Sequence, residues 1–475
     1  MKRIIDKTRH MPETAKSSLA FIICSFITKG IVFLTTPIFT RIMSIDQYGI
    51  VATYNSWLSI IEVFAVLGLT SAGVFNVGLN DNKQNRDKYI SICLGLCNVS
   101  TLLVFIILVI VKSFSVNIIV ISDKMLIIMF IHFLFSPAQI FWMTRNRYEY
   151  KYKMVSIVTI SMVFIAQILS ICGILFLNND TGYIRILCNE IGTLIFAIPI
   201  YIIMLKRGKD YVNLNEWKKI LVLALPLIPH YLSQHVMASA DKIMINNMIG
   251  SSDVSIYSIV ANIGMIGTIF WSAINASLVP YTFEKINEKK YNDINNVAKK
   301  LVIGYLAICM VVILLAPEIL KILAPAKYYS GIYAVPPITI VVFLQSLYNL
   351  FANVEFYYKR TKLIAVSTVI ATIVNIILNY IFIPKYSYVA AAYTTLTSYV
   401  VLVIMHYIGY KLSTKEKIYD SNYLLKLCVI LLVFSVVSIL IYNLNIIIRY
   451  SLIIIMLIIL IYNRKKIINT IKLIR

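Results

Sequence analysis

At 475 residues the chain has the length of about three soluble domains, yet 60% of it is hydrophobic and only 14% charged, against roughly 25% charged in water-soluble proteins. A soluble multidomain enzyme is excluded. The net charge of +23, from 44 Lys+Arg against 21 Asp+Glu, finds no polar domain on which to form a basic face, so nucleic acid is not expected as a partner.

A bilayer-crossing helix needs about 20 apolar residues. Such segments run over 17–43, 47–79, 88–111, 119–143, 154–177, 183–205, 219–249, 253–281, 300–323, 332–357, 363–383, 388–410, 424–443 and 446–463. None shows the period-2 alternation of a membrane β-barrel, and unpaired backbone is not tolerated in lipid, so helices are expected throughout. The fold class is therefore all-α and polytopic, with about fourteen transmembrane helices. The least secure division is the turn at Asn443–Asn445 between the last two spans.

Orientation follows from the cations, because short cytoplasmic loops retain Lys and Arg during insertion. With the N-terminus inside, alternate connections hold 34 of the 44 cations and the opposite set holds eight; Lys29 and Lys242 fall within spans. A miscounted helix would scramble this alternation. Both termini are expected in the cytoplasm, and the loop bias accounts for the basic charge without a polyanionic partner. The seven cysteines all lie in apolar runs without metal-ligand spacing and read as small buried hydrophobes. No cleavable signal peptide is expected, because sixteen mostly polar residues precede the first apolar run. No Walker motif or fused nucleotide-binding domain is present, and no cofactor, metal site or catalytic cluster is expected.

A faint repeat links the first and seventh spans. In the first, a Lys-led run reaches Pro37 and Thr40-Arg41-Ile42-Met43, and Asp46-Gln47-Tyr48-Gly49 opens the next span. In the seventh, a Lys-led run with Pro226 and Pro229 reaches Asp241-Lys242-Ile243-Met244, and Asp253-Val254-Ser255-Ile256-Tyr257 opens the next. Six helices separate the copies, so both enter the membrane in one direction, as in a parallel repeat.

Through Thr36-Pro37-Ile38-Phe39-Thr40-Arg41, Asp46-Gln47-Tyr48-Gly49, Leu225-Pro226-Leu227-Ile228-Pro229-His230, Asp241-Lys242 and Ser255-Ile256-Tyr257-Ser258, the chain resembles the polysaccharide-transporter branch of the multidrug/oligosaccharidyl-lipid/polysaccharide (MOP) exporters, the O-antigen and capsule repeat-unit flippases. The resemblance covers essentially the whole chain. It implies two six-helix lobes around a central cavity, at 17–205 and 219–410, with a cytoplasmic tail at 1–16, a linker at 206–218, a loop at 411–423, two added helices within 424–463 and a tail at 464–475. It also implies a non-enzymatic function, the flipping of undecaprenyl-diphosphate-linked oligosaccharide across the bacterial inner membrane by alternating access. The expected partners are this lipid-linked oligosaccharide, membrane lipid, a proton or sodium ion, and polysaccharide polymerase machinery. One rival is a cation-coupled multidrug antiporter of the same superfamily. The other is a membrane-embedded glycan polymerase or acyltransferase, which lacks the large external loop and clustered catalytic residues it would need.

An ionisable group at mid-bilayer costs at least about 2.5–3.5 kcal/mol, which makes each one a functional candidate. Lys29 sits about 18 Å into the first span at 1.5 Å per residue. It reads either as an anion-binding lysine for a diphosphate or as half of a structural ion pair. Arg41, Arg145 and Lys242 are further substrate-binding candidates, although Arg41 can snorkel to the interface and Arg145 also serves topology. Asp241, Glu62 and Glu355 are candidates for ion coupling or counter-charge, with Glu355 expected at interfacial depth beside Lys359 and Arg360. Glu190 is expected to pair with Arg185. His132, His230, His235 and His406 read as hydrogen-bonded packing residues. Tyr54, Trp57, Tyr257 and Trp271 are candidates for stacking on sugar rings.

Single cysteines at Asn82, Tyr211, Glu288 or Thr414, in a background where the native thiols are unreactive, should be protected from an impermeant thiol reagent in intact cells. Cysteine at Asp180 or Tyr386 should label; labelling at Tyr211 overturns the fourteen-span, termini-inside topology.

Overall fold

The computed structural model describes residues 13–70, 78–79, 83–114, 120–177, 179–442 and 446–462. Most of the expected tail at 1–16, the tail at 464–475, the end of the span expected over 47–79 and the turn at Asn443–Asn445 lie outside the described residues. Everything regular in the described residues is helix, with no strand. An apolar chain in lipid has only itself to satisfy its N–H and C=O groups, and the helix does so within each segment.

The first six long helices are α1 (Glu13–Ile42), α2 (Ile45–Ala65), α3 (Lys83–Phe114), α4 (Asp123–Tyr148), α5 (Tyr152–Leu177) and α6 (Thr181–Gly208). A short α7 (Leu214–Ala224) runs through a one-turn 3-10 segment at Leu225–Leu227 into α8 (Ile228–Met248). Then follow α9 (Ser251–Asn287), α10 (Tyr291–Leu314), the short α11 (Ala316–Leu323), α12 (Val335–Tyr357), α13 (Thr361–Ser413), α14 (Ser421–Ile441) and α15 (Ile446–Tyr462). Eleven of the described helical stretches are long and apolar enough to cross a membrane. α13 is two helices joined at the non-helical Tyr386 and Ser387. Counting it as two and adding α2 and the 17-residue α15 gives the fourteen expected from the sequence.

Polar residues at the span ends set the boundaries. Ser44, Ser122, Asp180, Asn213 and Asp420 each accept a backbone N–H in the first turn of the helix that follows, which satisfies a donor that the helix itself cannot pair. Pro226, within the 3-10 turn of the seventh span, removes a backbone donor where α7 passes into α8.

The chain divides into two compact units, Met1–Ser239 and Ala240–Arg475. The division falls inside α8 rather than in the polar loop at 206–218, because the approach to α8 is tied to the first unit. Trp217 Nε1 donates to the Ile92 carbonyl at 2.9 Å, Ser59 Oγ and His235 Nδ1 lie 2.8 Å apart, and Tyr231 packs on Gly68.

In the first unit α5 lies along α6 and α1, and α6 also contacts α2, α3 and α4. Without a hydrophobic drive between helices in lipid, close approach at small residues holds such packing. A Cβ at Gly192 of α6 would fall 2.5 Å from the Ala166 Cα of α5. In the second unit α12 is the central helix, in contact with α9, α10, α13 and α14. Its Phe343, Leu347, Leu350 and Val354 are buried in one cluster with Tyr305 of α10, Tyr410 of α13 and Leu431 of α14. The last helix is fastened by Arg449 of α15, paired with Glu318 of α11, a carboxylate that also accepts from the Tyr450 hydroxyl at 3.2 Å.

Because nothing can yield in the α5–α6 contact without moving backbone, Gly192→Leu should destabilise the first unit by about 1–3 kcal/mol or more. The loss should appear as a lower melting temperature and less monodisperse protein in detergent, with Gly192→Ala intermediate.

Candidate functional site

Lys29 lies midway along α1, half-buried. Among the described residues it has no carboxylate within ion-pair distance. The adjacent Gly30 has nothing within 4 Å of the position a Cβ would take, so α1 borders open space at this level. Lys29 is thus an ammonium with no ionic partner among the described residues. Glu62, on α2, is half-buried and likewise has no ion-pair partner among the described residues. It follows by one turn the Ser59 that meets His235.

The other two arginine candidates are engaged. Arg41 is exposed at the end of α1, and its Nη1 donates to the Pro37 carbonyl at 2.8 Å, capping its own helix. Arg145, buried at the end of α4, pairs with Asp87 of α3 and, through Nε at 3.0 Å, with Glu149. Glu149 further holds Lys151 at 2.5 Å and Arg86 at 3.6 Å. Burial raises the Glu149 carboxyl, but the hydrogen bonds from Lys151 and Arg145 outweigh that and hold it below the ordinary carboxylate range. Carboxylates thus occupy the guanidinium face that a diphosphate would need, and Arg145 fastens α3 to α4.

The densest polar cluster is in the second unit. Asp241 of α8 is 4% exposed. Its carboxylate accepts from the Tyr257 hydroxyl of α9 at 2.5 Å, from Asn379 Nδ2 at 2.7 Å and from the Thr395 hydroxyl at 2.7 Å, the last two on the two halves of α13. Asn379 Nδ2 also reaches Asn375 Oδ1 at 3.2 Å, Asn375 Nδ2 reaches Thr395 Oγ1 at 3.2 Å, and Thr394 donates to Asn379 Oδ1. All these partners are neutral. Lys242 is half-buried and, among the described residues, forms no ion pair with Asp241 or any other acid, as neighbours about 100° apart on a helix require. The carboxylate is thus ringed by amide N–H and hydroxyl O–H donors. It carries a single formal charge, and no group of three or more His, Cys, Asp or Glu lies together among the described residues.

One sequence expectation is corrected. Glu190 does not pair with Arg185. It receives Tyr54 Oη at 3.5 Å and lies 2.5 Å from His132 Nδ1, while Arg185 stacks over Phe39 and Tyr48, 3.8 and 4.9 Å from the ring centroids. Five residues turn a helix through about 500°, which places Arg185 and Glu190 on different faces. Glu355, two residues before the end of α12, is fully buried with His406 Nδ1 at 2.5 Å, while Lys359 and Arg360 fall in the turn beyond α12. Three of the proposed sugar platforms are buried in packing, Tyr54 on Glu190, Tyr257 on Asp241 and Trp271 against Tyr305.

Sequence reasoning missed Asn375, Asn379, Thr394 and Thr395. The available signal was two amides one turn apart, on one face of an otherwise apolar span.

Replacing Asp241 by Asn should weaken any cation dependence of transport at least about tenfold while leaving the fold intact, since the donors around it still find an amide oxygen. The check is initial uptake rate against sodium and proton concentration in proteoliposomes.

With this geometry in place, comparison with known proteins is informative. A family model described as "Polysaccharide biosynthesis protein" matches residues 14–286, and the MatE model matches residues 226–381. An Lsg locus protein of Haemophilus influenzae is 22% identical over 371 residues, covering 76% of this chain and 89% of that protein. A capsular polysaccharide biosynthesis protein, CapF of Staphylococcus aureus, is 24% identical over 211 residues, 42% of this chain and 52% of its own length. Among solved structures, the lipid II flippase MurJ in an inward closed conformation superposes with a TM-score of 0.69 at 16% identity, covering 95% of this chain and all of its own. An inward-facing multidrug-resistance MATE transporter of the MOP superfamily gives 0.60 at 13% identity, covering 83% and 99%. At these identities the structural likeness establishes the fold.

Proposed function

The chain belongs to the polysaccharide biosynthesis protein family, whose model spans more than half of it, and we propose that it moves a lipid-diphosphate-linked oligosaccharide from the inner to the outer leaflet of a bacterial inner membrane. The observation that carries this reading is Lys29, an unpaired ammonium midway along an apolar helix beside open space. A diphosphate entering the membrane must lose much of its water, and an unpaired anion there is costly. A lysine supplies a compact counter-charge. Lys242, half-buried and without an ion pair among the described residues, is a second candidate contact for the anion. The sugar moiety is taken to be a repeat unit and the lipid undecaprenol, in keeping with the capsule and lipid II themes of the relatives.

Alternating access between the two units transports the headgroup without covalent chemistry, and the Asp241 cluster binds the driving ion, a proton or sodium. Glu62 is the second acid with a coupling role, in the first unit. The termini lie in the cytoplasm, where the handing-on of substrate from synthesis occurs, and polymerase machinery receives the product on the far side. A multidrug antiporter of the same fold is the alternative reading favoured by the MATE neighbours. Lys29 argues against it, because an unpaired ammonium repels cationic drugs.

Lys29→Ala should abolish export of the repeat unit while protein amount and membrane insertion stay near normal. Lys29→Arg should keep partial export and Lys29→Glu none, measured by the unflipped lipid-linked unit accumulating on the cytoplasmic leaflet. Normal export by stably expressed Lys29→Glu refutes the anion-binding role. Loss of protein in Lys29→Ala, with both protein and export regained on removal of a nearby acid, identifies a structural ion pair instead.

A further inference from the structure

Among the described residues each unit contains one imidazole–carboxylate pair, and the two are built in opposite order. In the first, His132 of the fourth span meets Glu190 of the sixth; in the second, Glu355 of the tenth meets His406 of the twelfth, each with Nδ1 2.5 Å from Oε2. The surroundings differ. Glu190 has Tyr54 on its other oxygen, and the His132 side chain is 16% exposed. Glu355 and His406 are sealed at 0% and 2% side-chain exposure, and Glu355 Oε1 has no hydrogen-bond partner. That oxygen lies 1.9 Å from where a Cβ on Gly409 would stand, so only glycine at this position lets α13 close over the carboxyl group.

We propose that Glu355 and His406 form a proton-binding site that fastens α12 to the second half of α13 when loaded. Three forms of the pair keep a proton between Nδ1 and Oε2. Carboxylate with neutral imidazole carries one net negative charge; carboxylate with imidazolium, or carboxylic acid with neutral imidazole, carries none and holds one proton more. The pair titrates as a unit. Buried with an unpartnered oxygen, the negative form has nothing to offset its lost hydration, so it opens toward water while the loaded form stays closed.

The groups around it supply no substitute charge. Tyr348 of α12 stacks on the His406 ring at 5.4 Å, and Tyr399 packs on Tyr348. Lys411 lies over the rings of Tyr407 and Tyr410, and Arg360 meets Glu355 only through its backbone N–H on the Glu355 carbonyl, at 2.8 Å. α9 presents the neutral Asn275 to Asn353. Lys299 of α10 is paired with Asp420, which caps the start of α14, and Lys327 sits over Tyr328 before the start of α12. Among the described residues, His406 is the one charged group within ion-pair distance of Glu355.

The pair needs no substrate for its protonation, so its test uses the full-length protein alone in nanodiscs. Spin labels at Lys359→Cys and Leu412→Cys, in a background with the exposed Cys172 replaced, report the distance between the ends of α12 and α13. In the wild-type pair this distance should lengthen or broaden between about pH 5 and about pH 8, the range in which imidazoles respond. Glu355→Gln and His406→Gln should each abolish the pH response; His132→Gln should leave it intact, and the exchange Glu355→His with His406→Glu should restore it, as the reversed order in the first unit suggests. A distance independent of pH in the wild-type pair, or a response that survives both single substitutions, overturns the proposal. Should a single substitution prevent folding, isotope-labelled histidine in the otherwise native chain replaces it: the His406 ring must change protonation across the same range, and an unchanged ring overturns the proposal.

Discussion

Hydrocarbon offers no hydrogen bonds, and that constraint organises this molecule more than any single contact. Backbone groups answer it by forming helices; side chains can answer it only by finding one another. Several buried charged groups therefore sit in small closed sets, such as Arg145 with Asp87 and Glu149, or Glu190 with His132 and Tyr54. Lys29 is informative because it breaks this pattern. Its lack of an ionic partner among the described residues is an unmet electrostatic demand, which the proposed anionic headgroup would meet.

The two units share a helical plan and differ in charge chemistry. The first exposes a lone cation beside open space, while the second encloses a lone carboxylate among amides and hydroxyls. Asp241 draws its partners from α9 and from both halves of α13, so the occupancy of one acid bears on the packing of three helices. A transporter needs such a link between binding and shape, because a ligand shifts a conformational equilibrium only by as much as its affinity differs between the states.

The sequence reveals spans and depths well and partners poorly. Span count followed from hydropathy and from the alternation of cations, both summed over many residues. Lys29 was legible because one charge in a long apolar run stands out. Glu190 was misassigned because nearness along the chain suggested Arg185 as its partner, whereas the partners of Glu190 and Glu355 come from other helices, 58 residues away for His132 and 51 for His406. Asn375 and Asn379 drew no notice because neutral amides barely disturb hydropathy. Their role appears only when Asp241, 138 residues from Asn379, is brought against them.

A cluster with a single carboxylate also has an electrical consequence. Filled by a monovalent cation, the Asp241 site is neutral; emptied, it bears one negative charge. The field across the bilayer, at about 2.3 kcal/mol per charge per 100 mV, therefore acts on the vacant carrier rather than on the ion-loaded one. In a cell that is negative inside, this draws the vacant site toward the outer face, where the next ion is waiting, so in the proposed cycle the resting voltage would favour the outward step, the one that carries the headgroup.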